Sequence, residues 1–374
     1  MQEFFGLKGA GKVSCDPAQQ PNSEPETGYA KGQIREHVQA YYERCLKPHY
    51  RRGHFERDTE GNSESLSYAL LQSYYAGDRK TFDKVWQWTK KFIQHDDDHL
   101  FAWQFAYEYS FWSFPIKTVR ISDYNSATDA DTDIAYALFL AGEAWGRRDY
   151  VLDAKNIVND IWDKETVEAG GKRFVLAGNW ANLPEGLVVN PSYFAPQAYR
   201  EFAKYDLIHD WNKVITDGYA LLSQVSSLET RRGLPPNWVI VSKTDGAANV
   251  YTSKQDSQDY SYDAFRVFYR VALDQKTTPS FEAFEYLSAR KIFEDEFRNS
   301  GQLCSLYIHE DGNLRCDHNT TGLAGPLGVF SVTSEYFADQ LIRKYYIHDR
   351  KLQFPDYSFY AHSWHWFGLE LWSR

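Results

Sequence analysis

The sequence predicts an all-α chain of about a dozen helices. Three observations carry that expectation. Apolar residues recur at the helical period from end to end, strictly alternating runs are short and rare, and no Pro/Ser-rich linker or shift in composition divides the 374 residues. The chain is longer than one ordinary core requires, which leaves two ordinary domains or one large repetitive one. With no linker and no visible sequence repeat, the expectation is a single domain of stacked helix pairs over 31–374. A loosely held arm, 1–30, rich in Gly, Pro and Gln, precedes it.

The periodic segments fall at 32–47, 63–76, 79–94, 101–112, 129–146, 149–164, 194–204, 209–226, 261–274, 280–298, 331–347 and 359–373. Their starts carry capping chemistry. Asp78 precedes RKTFDKVWQWTKKF, and Ser280 precedes FEAFEYLSARKIF with Glu282 in the first turn, where negative charge suits the helix dipole. Long connections containing Gly and Pro, such as 228–259, exceed bundle turns in length and suit the building of a cleft on one side of a helical scaffold.

Hydrophobic residues make up 43% of the chain, enough to fill such a core, yet 17% of it is aromatic, with 12 Trp, 27 Tyr and 24 Phe. The surplus of rings suggests a surface that stacks on something flat. A net charge of -10 argues against nucleic acid, which needs clustered Lys and Arg, and leaves a neutral ligand easier to accept. No run of about 20 apolar residues offers to span a bilayer, and the start MQEFFGLKGAGKVSC lacks the basic and apolar regions of a signal peptide. Cys15, Cys45, Cys304 and Cys316 are too widely spaced for a C-x-x-C zinc pattern, so no metal is expected, and free buried thiols are favoured over one or two disulfides.

Candidate chemistry sits in three acidic stretches. In NSATDADTDIAYALFLAGEAW, from Asn125, the carboxylates of Asp129, Asp131 and Asp133 stand two residues apart ahead of an apolar run. A calcium loop, a helix N-terminus capped by Ser126 or Thr128, and a catalytic carboxylate at the rim of a cleft compete for them. An EF-hand loop needs Gly sixth and Glu twelfth, where this chain has Ile134 and Leu140, so calcium is disfavoured. Asp131, Ile134, Leu138, Ala141 and Trp145 follow one buried stripe, so Asp131 is expected to point inward, where a charge needs partners.

In SESLSYALLQSYYAGDRKTFDKVWQWT, Glu64 stands beside the candidate cap Ser63 at the opening of a helix crowded with Tyr68, Tyr74 and Tyr75. The helix dipole stabilises a carboxylate there by ~0.3–1 kcal/mol, whereas burial in an apolar pocket can raise its pKa by as much as ~3–5. Closed over by rings, Glu64 becomes a proton donor near neutral pH; left open, it is an ordinary first-turn Glu. In YSYDAFRVFYRVALD, Asp263 has Arg266 one turn later. The pair reads either as a surface salt bridge or, among Tyr260, Tyr262, Phe265, Phe268 and Tyr269, as an acid kept ionised and able to serve as a base.

Together these stretches resemble glycoside hydrolase family 8, the inverting family of cellulases, xylanases and related enzymes. The resemblance rests on Ala127-Thr128-Asp129-Ala130-Asp131 continuing through Ile134, Ala135 and Ala141 to Trp145. It extends to SESLSYALL, NPSYFAPQAYREFA at 190–203, GLPPNWV at 233–239 and YSYDAFR, and covers roughly residues 60 to 370. It implies an (α/α)6 barrel with Glu64 as general acid, Asp263 as general base and Asp129 binding and distorting the sugar at the cleavage point, while Asp131 is structural and Asp133 solvated. The chain departs from the family where Ser-Glu-Gly-Gln-Ser-Tyr reads Ser63-Glu64-Ser65-Leu66-Ser67-Tyr68, which should restrict the backbone beside the acid and removes an amide.

Trp103, Trp180, Tyr193, Tyr262 and Tyr360 are candidates for stacking on the apolar face of a pyranose, with Arg266 beside them. The implied activity is an inverting endo-β-1,4-glucanase acting without cofactor, as a monomer, in a secreted or periplasmic setting. Endoxylanase, release of xylose from reducing ends, and mixed-linkage glucanase are the alternatives within the family, with chitosanase disfavoured. A carbohydrate-binding protein that lost hydrolysis and a helical interaction scaffold are the alternatives outside it.

Overall fold

The computed structural model describes residues 31–50, 60–109, 117–227, 232–310, 313–348, 351–352 and 359–374. The expected arm, 1–30, lies outside them. Among the described residues thirteen α-helices are joined by short antiparallel hairpins, and the chain groups into two compact units. The first contains 39–161 and 359–363; the second contains 31–38, 162–352 and 364–374 among the described residues.

Helix α1 (Lys31–Tyr41) opens the described residues and belongs mainly to the second unit. In the first unit, strand β1 (Glu60–Asn62) leads into α2 (Ser63–Tyr75), followed by α3 (Arg79–Phe92), β2 (Gln104–Tyr109), β3 (Lys117–Asp123), α4 (Thr128–Trp145) and the start of α5 (Arg148–Glu165). Asp78 caps α3 as expected, accepting from the Thr81 amide at 3.1 Å and the Thr81 hydroxyl at 2.8 Å. The buried face of α3 presents Phe82, whose ring meets Trp145 edge-on at 5.1 Å and Tyr150 at 5.5 Å, fastening α3 to α4 and α5. α4 is buried on nearly every side and ends at Gly146, whose left-handed φ of 66° an L side chain would resist.

Of segment 101–112, the described residues 101–109 are not helical. Residues 104–109 form β2, paired antiparallel with β1 and β3. Phe105 and Tyr107 turn the same way, 5.1 and 6.4 Å from the Trp88 ring, which is the two-residue period of a strand. The alternating aromatic run FAWQFAYEY favours a pleated surface, with β3 following it as the next strand and β1 arriving from earlier in the chain.

The second unit begins with the hairpin β4 (Thr166–Ala169) and β5 (Lys172–Val175) and a four-stranded sheet, β6 (Asn182–Leu183), β7 (Gly186–Val189), β8 (Val239–Val241) and β9 (Ala248–Val250), in that spatial order. The expected loop 228–259 therefore carries two strands. Its described part packs Trp238 and Val239 with Leu187, Val189, Leu221 and Val225 in one apolar cluster. The helices are α6 (Pro196–Tyr205), α7 (Trp211–Ser226), α8 (Arg266–Thr277), α9 (Phe281–Ser288), α10 (Lys291–Ser300), α11 (Ala324–Thr333), α12 (Glu335–Leu341) and α13 (Phe359–Ser373), the last beginning in the first unit; β10 (Leu306–Glu310) and β11 (Asn313–Asp317) pair between α10 and α11.

Two predicted helices are divided. Segment 280–298 breaks where Arg290 leaves helical geometry (ψ 57°) and its guanidinium lies 4.1 Å from the Tyr286 ring centre. Segment 331–347 breaks at Ser334, which is extended and caps α12. Gly328 lets α11 approach α8, since a methyl group there would stand 2.9 Å from the Phe268 carbonyl oxygen, and Gly325 makes room for Tyr260 ahead of α8, whose hydroxyl oxygen would lie 2.5 Å from such a group. The expectation of free thiols is overturned: Cys304 and Cys316 form a disulfide, Cys45 is also disulfide-bonded, and no cysteine among the described residues is free.

Candidate active site

Glu64 occupies the second position of α2. Asn62, rather than Ser63, caps that helix, accepting from the Ser65 amide at 2.8 Å while the Ser65 hydroxyl donates back to the Asn62 carbonyl at 2.8 Å. Position 65 is thus ordinary helix, where replacing Gly removes a helix-weakening residue rather than a needed turn. Leu66 beside it is buried. Glu64 is half-buried, and Tyr68, one turn on, donates its hydroxyl to Glu64 Oε1 at 2.6 Å. The Tyr360 ring stands 6.3 Å from that of Tyr68.

A backbone chain ties this helix start to the next. Ser63 N–H donates to the Trp103 carbonyl at 2.9 Å, and Trp103 N–H donates to the Asn125 carbonyl at 2.8 Å, just ahead of α4. Glu64 and Asp129 therefore stand at the linked N-terminal ends of two packed helices, with Trp103 at the link. The N-cap of α4 is Ala127, without a side-chain cap, so neither Ser126 nor Thr128 fills that role. Asp129 is 2% exposed and its Oδ1 accepts from the Ala130 amide at 2.9 Å. Asp131 is fully buried, as the stripe predicts, and accepts from the Phe101 amide at 3.0 Å, pinning the segment that leads to Trp103. Asp133 is buried rather than solvated, because α4 packs on all sides at its start and not on one stripe.

Asp263 sits in the second unit, in the turn that opens α8. Arg266 Nη2 donates to its Oδ1 at 2.6 Å and Trp238 Nε1 donates to its Oδ2 at 3.0 Å, so each carboxyl oxygen has its own donor. Arg266 is 1% exposed and Asp263 13%, so this pair is not a surface salt bridge. The guanidinium also lies 5.4 Å from the Tyr193 ring centre and 5.9 Å from that of Trp364. Tyr193 meets Trp238 edge-on at 5.9 Å. Tyr262, 37% exposed, has its hydroxyl held by the Asn319 amide at 2.9 Å.

Asn237 builds the turn. Its Oδ1 accepts from the amides of Ser261 and Ala264 at 3.2 and 3.0 Å, and its Nδ2 donates to the Ser261 hydroxyl and the Asp256 carbonyl at 2.6 and 2.9 Å. Asp256 is held at a φ of 58°, a left-handed conformation that Asp tolerates, with its carbonyl also taking the Asp259 amide at 3.1 Å. Asn237 and Trp238 lie inside GLPPNWV, a stretch noted in the sequence without a role for either.

The structure thus gathers Glu64, Asp129, Trp103 and Tyr360 in the first unit and Asp263, Arg266, Tyr193 and Tyr262 in the second. Trp180, 37% exposed, stands in the second unit on the loop entering β6. Of the clusters with metal-ligand chemistry among the described residues, that of Cys304, Cys316 and His318 has both its thiols taken up by the disulfide. His95, Asp97 and Asp98 belong to a turn in which Asp98 Oδ1 takes the Leu100 amide at 2.8 Å.

Glu64 and Asp263 each take a hydrogen bond from an aromatic side chain, Tyr68 in the first unit and Trp238 in the second. Residues 53–293 match the model of glycosyl hydrolases family 8, and the chain belongs to that family. It is 31% identical over 207 residues to an endoglucanase of Cellulomonas uda, covering 55% of this chain and 54% of that protein. The chain spans little more than half the length of the curated relatives it matches. Among solved structures it resembles the endo-beta-1,4-glucanase CMCax from Acetobacter xylinum, with TM-score 0.69 and 24% identity over 92% of this chain and 98% of that one. It also resembles a beta-1,3-1,4-glucanase from Paenibacillus sp. X4, with TM-score 0.73 and 20% identity over 95% of each. At these identities the likeness speaks for the fold, which is the (α/α)6 barrel.

Proposed function

We propose that the protein is an inverting endo-β-1,4-glucanase, with Asp263 as the base that activates water, Glu64 as the acid that protonates the leaving oxygen, and Asp129 as the group that binds the distorted sugar. The observation that carries this reading is the seating of Asp263. Two buried donors, Arg266 and Trp238, each engage one carboxylate oxygen, while Tyr262 beside it keeps an exposed ring. A carboxylate so fixed accepts a proton from water without reorienting. Glu64 takes the complementary part: its Oε1 is oriented by Tyr68, and the other oxygen is the one assigned to the leaving group. Inversion follows from two acids acting once each, one as donor and one as base.

Trp103, Trp180, Tyr193, Tyr262 and Tyr360 supply ring faces for sugar, and Trp180 and Tyr262 do so with the most exposed area of the five. The Cys304–Cys316 bridge supports a secreted or periplasmic setting, where disulfides persist. The test is product analysis on carboxymethylcellulose, lichenan, xylan and chitosan, with NMR of the anomer first released. Turnover of carboxymethylcellulose with the α-anomer appearing first is the expected result. A preference for lichenan or xylan would revise the substrate, a first-formed β-anomer would reject inversion, and binding without turnover would make the protein a carbohydrate binder.

A further inference from the structure

The loop following β9 folds back onto the ring that holds Asp263. Trp238 N–H donates to the Ser257 carbonyl at 3.1 Å, and the Trp238 carbonyl accepts from Tyr251 N–H at 3.1 Å, so the loop clamps this backbone on both sides. Between Tyr251 and Ser257 stands Lys254, half-buried, with its Nζ 3.1 Å from the centre of the Trp238 ring. Lys254 is itself fixed: its amide donates to the Tyr251 carbonyl at 3.2 Å and its carbonyl accepts from the Ser257 hydroxyl at 2.6 Å. On its far edge the same indole presents Nε1 to Asp263 Oδ2 at 3.0 Å.

A cation over the face of an indole draws π density toward itself and leaves the N–H at the ring's edge a stronger donor. The stronger donor holds one oxygen of Asp263 while Arg266 holds the other, so the carboxylate plane resists rotation and its remaining lone pairs keep their direction. A neutral amine in the same place would leave the indole with its ordinary polarity. The clamp on both sides of Trp238 keeps ring, cation and carboxylate in register.

Resting on the reading of Asp263 as the base, we propose that Lys254 is a positioning residue for the hydrolysis, acting through the Trp238 indole on Asp263 without touching substrate. Burial draws the Lys254 pKa down from the ordinary lysine value to about 8, with Asp263 pulling it up and Arg266 pushing it further down. The ammonium is present below that pH and is lost as pH rises through it. The relay therefore sets an alkaline limit on turnover.

The test measures kcat and KM on carboxymethylcellulose between about pH 6 and pH 10 for the wild type, Lys254→Met, Lys254→Arg and Asp263→Asn. Lys254→Met is expected to lower kcat about tenfold at neutral pH with KM unchanged, a fraction of what a general base contributes. Lys254→Arg is expected to keep most of the activity and to extend it above the wild-type alkaline limit, since a guanidinium stays protonated. With Asp263→Asn inactive, wild-type kcat in the Met variant, or the same alkaline limit in the Arg variant, overturns the relay. Turnover by Asp263→Asn overturns the base assignment instead, and the relay falls with it. Should Lys254→Met fail to fold, the pH profile of Lys254→Arg decides alone.

Discussion

Asn237 offers the most direct measure of how the turn bearing Asp263 is held. Its side chain is 3% exposed and serves four hydrogen bonds, two of them as acceptor from the backbone amides of Ser261 and Ala264. Asn237→Ala removes that acceptor and strands both amides in a buried place. At ~1–3 kcal/mol for each unsatisfied donor the raw loss is ~2–6 kcal/mol, and water entering the vacated space brings the expectation to about 3 kcal/mol. The Asp256 carbonyl keeps its bond from the Asp259 amide, so its loss of the Asn237 donor adds little. Urea unfolding followed by tryptophan fluorescence measures the stability change, and kcat below the transition measures the loosening of Asp263. A loss under about 1 kcal/mol, or a kcat equal to wild type, would refute the claim that this amide builds the turn.

Asp263→Asn leaves the buried Arg266 without its counter-charge, so some loss of melting temperature is expected, and in enzyme still folded at the assay temperature kcat should fall at least ~10²-fold; retention of a tenth of the activity would reject the base assignment. Glu64→Gln should abolish turnover of natural glucan yet spare substrates whose leaving group needs no proton, and equal impairment of both would point to a structural role. Asp131→Ala leaves the buried Phe101 amide without its acceptor, so a stability loss of ~1–3 kcal/mol is expected first, whereas Asp129→Asn should melt near wild type with kcat down at least tenfold; the reverse pattern in paired melts and assays would exchange their roles. Lys276, half-buried with its ammonium donating to the Leu371 carbonyl, has its pKa lowered by burial to about 8 from 10.5. Between those pH values the unfolded chain binds the proton and the folded one does not, so this group's contribution to stability rises with pH over that window. A wild-type stability gain from pH 8 to pH 10 that persists unchanged in Lys276→Met would contradict this assignment.

Much of the helical scaffold was legible because its signals are local. Asp78 and Ser280 cap helices by reaching amides three residues ahead, and the apolar spacing of Phe82, Val85 and Trp86 needs only a helix to become a face. Asp131 was legible for the same reason, as a carboxylate on a buried stripe. The candidate acids stood out as residue types in a recognisable order, and the pairing of Asp263 with Arg266 follows from a spacing of one turn.

What the sequence left open depends on partners that arrive from elsewhere in the chain. FAWQFAYEY places a ring at every second residue from Phe101 to Tyr109, the period of a strand, so the helical reading of this stretch passed over a signal the sequence carried, and β1 and β3 supply its hydrogen-bonding edges. Asp133 is buried because neighbouring elements cover the polar side of α4 as well as its apolar one, which no periodicity within the helix records. Asn237, Trp238 and Lys254 lie between 9 and 26 residues before Asp263 by their numbering, too far for any helical or strand period to connect them to it. The sequence by itself determined the helical class and the acids available for chemistry, since both reside in short-range patterns. Only the tertiary structure decided what surrounds Asp263, because hydrogen bonds to a buried carboxylate are made by whichever donors the folded loops bring within about 3 Å.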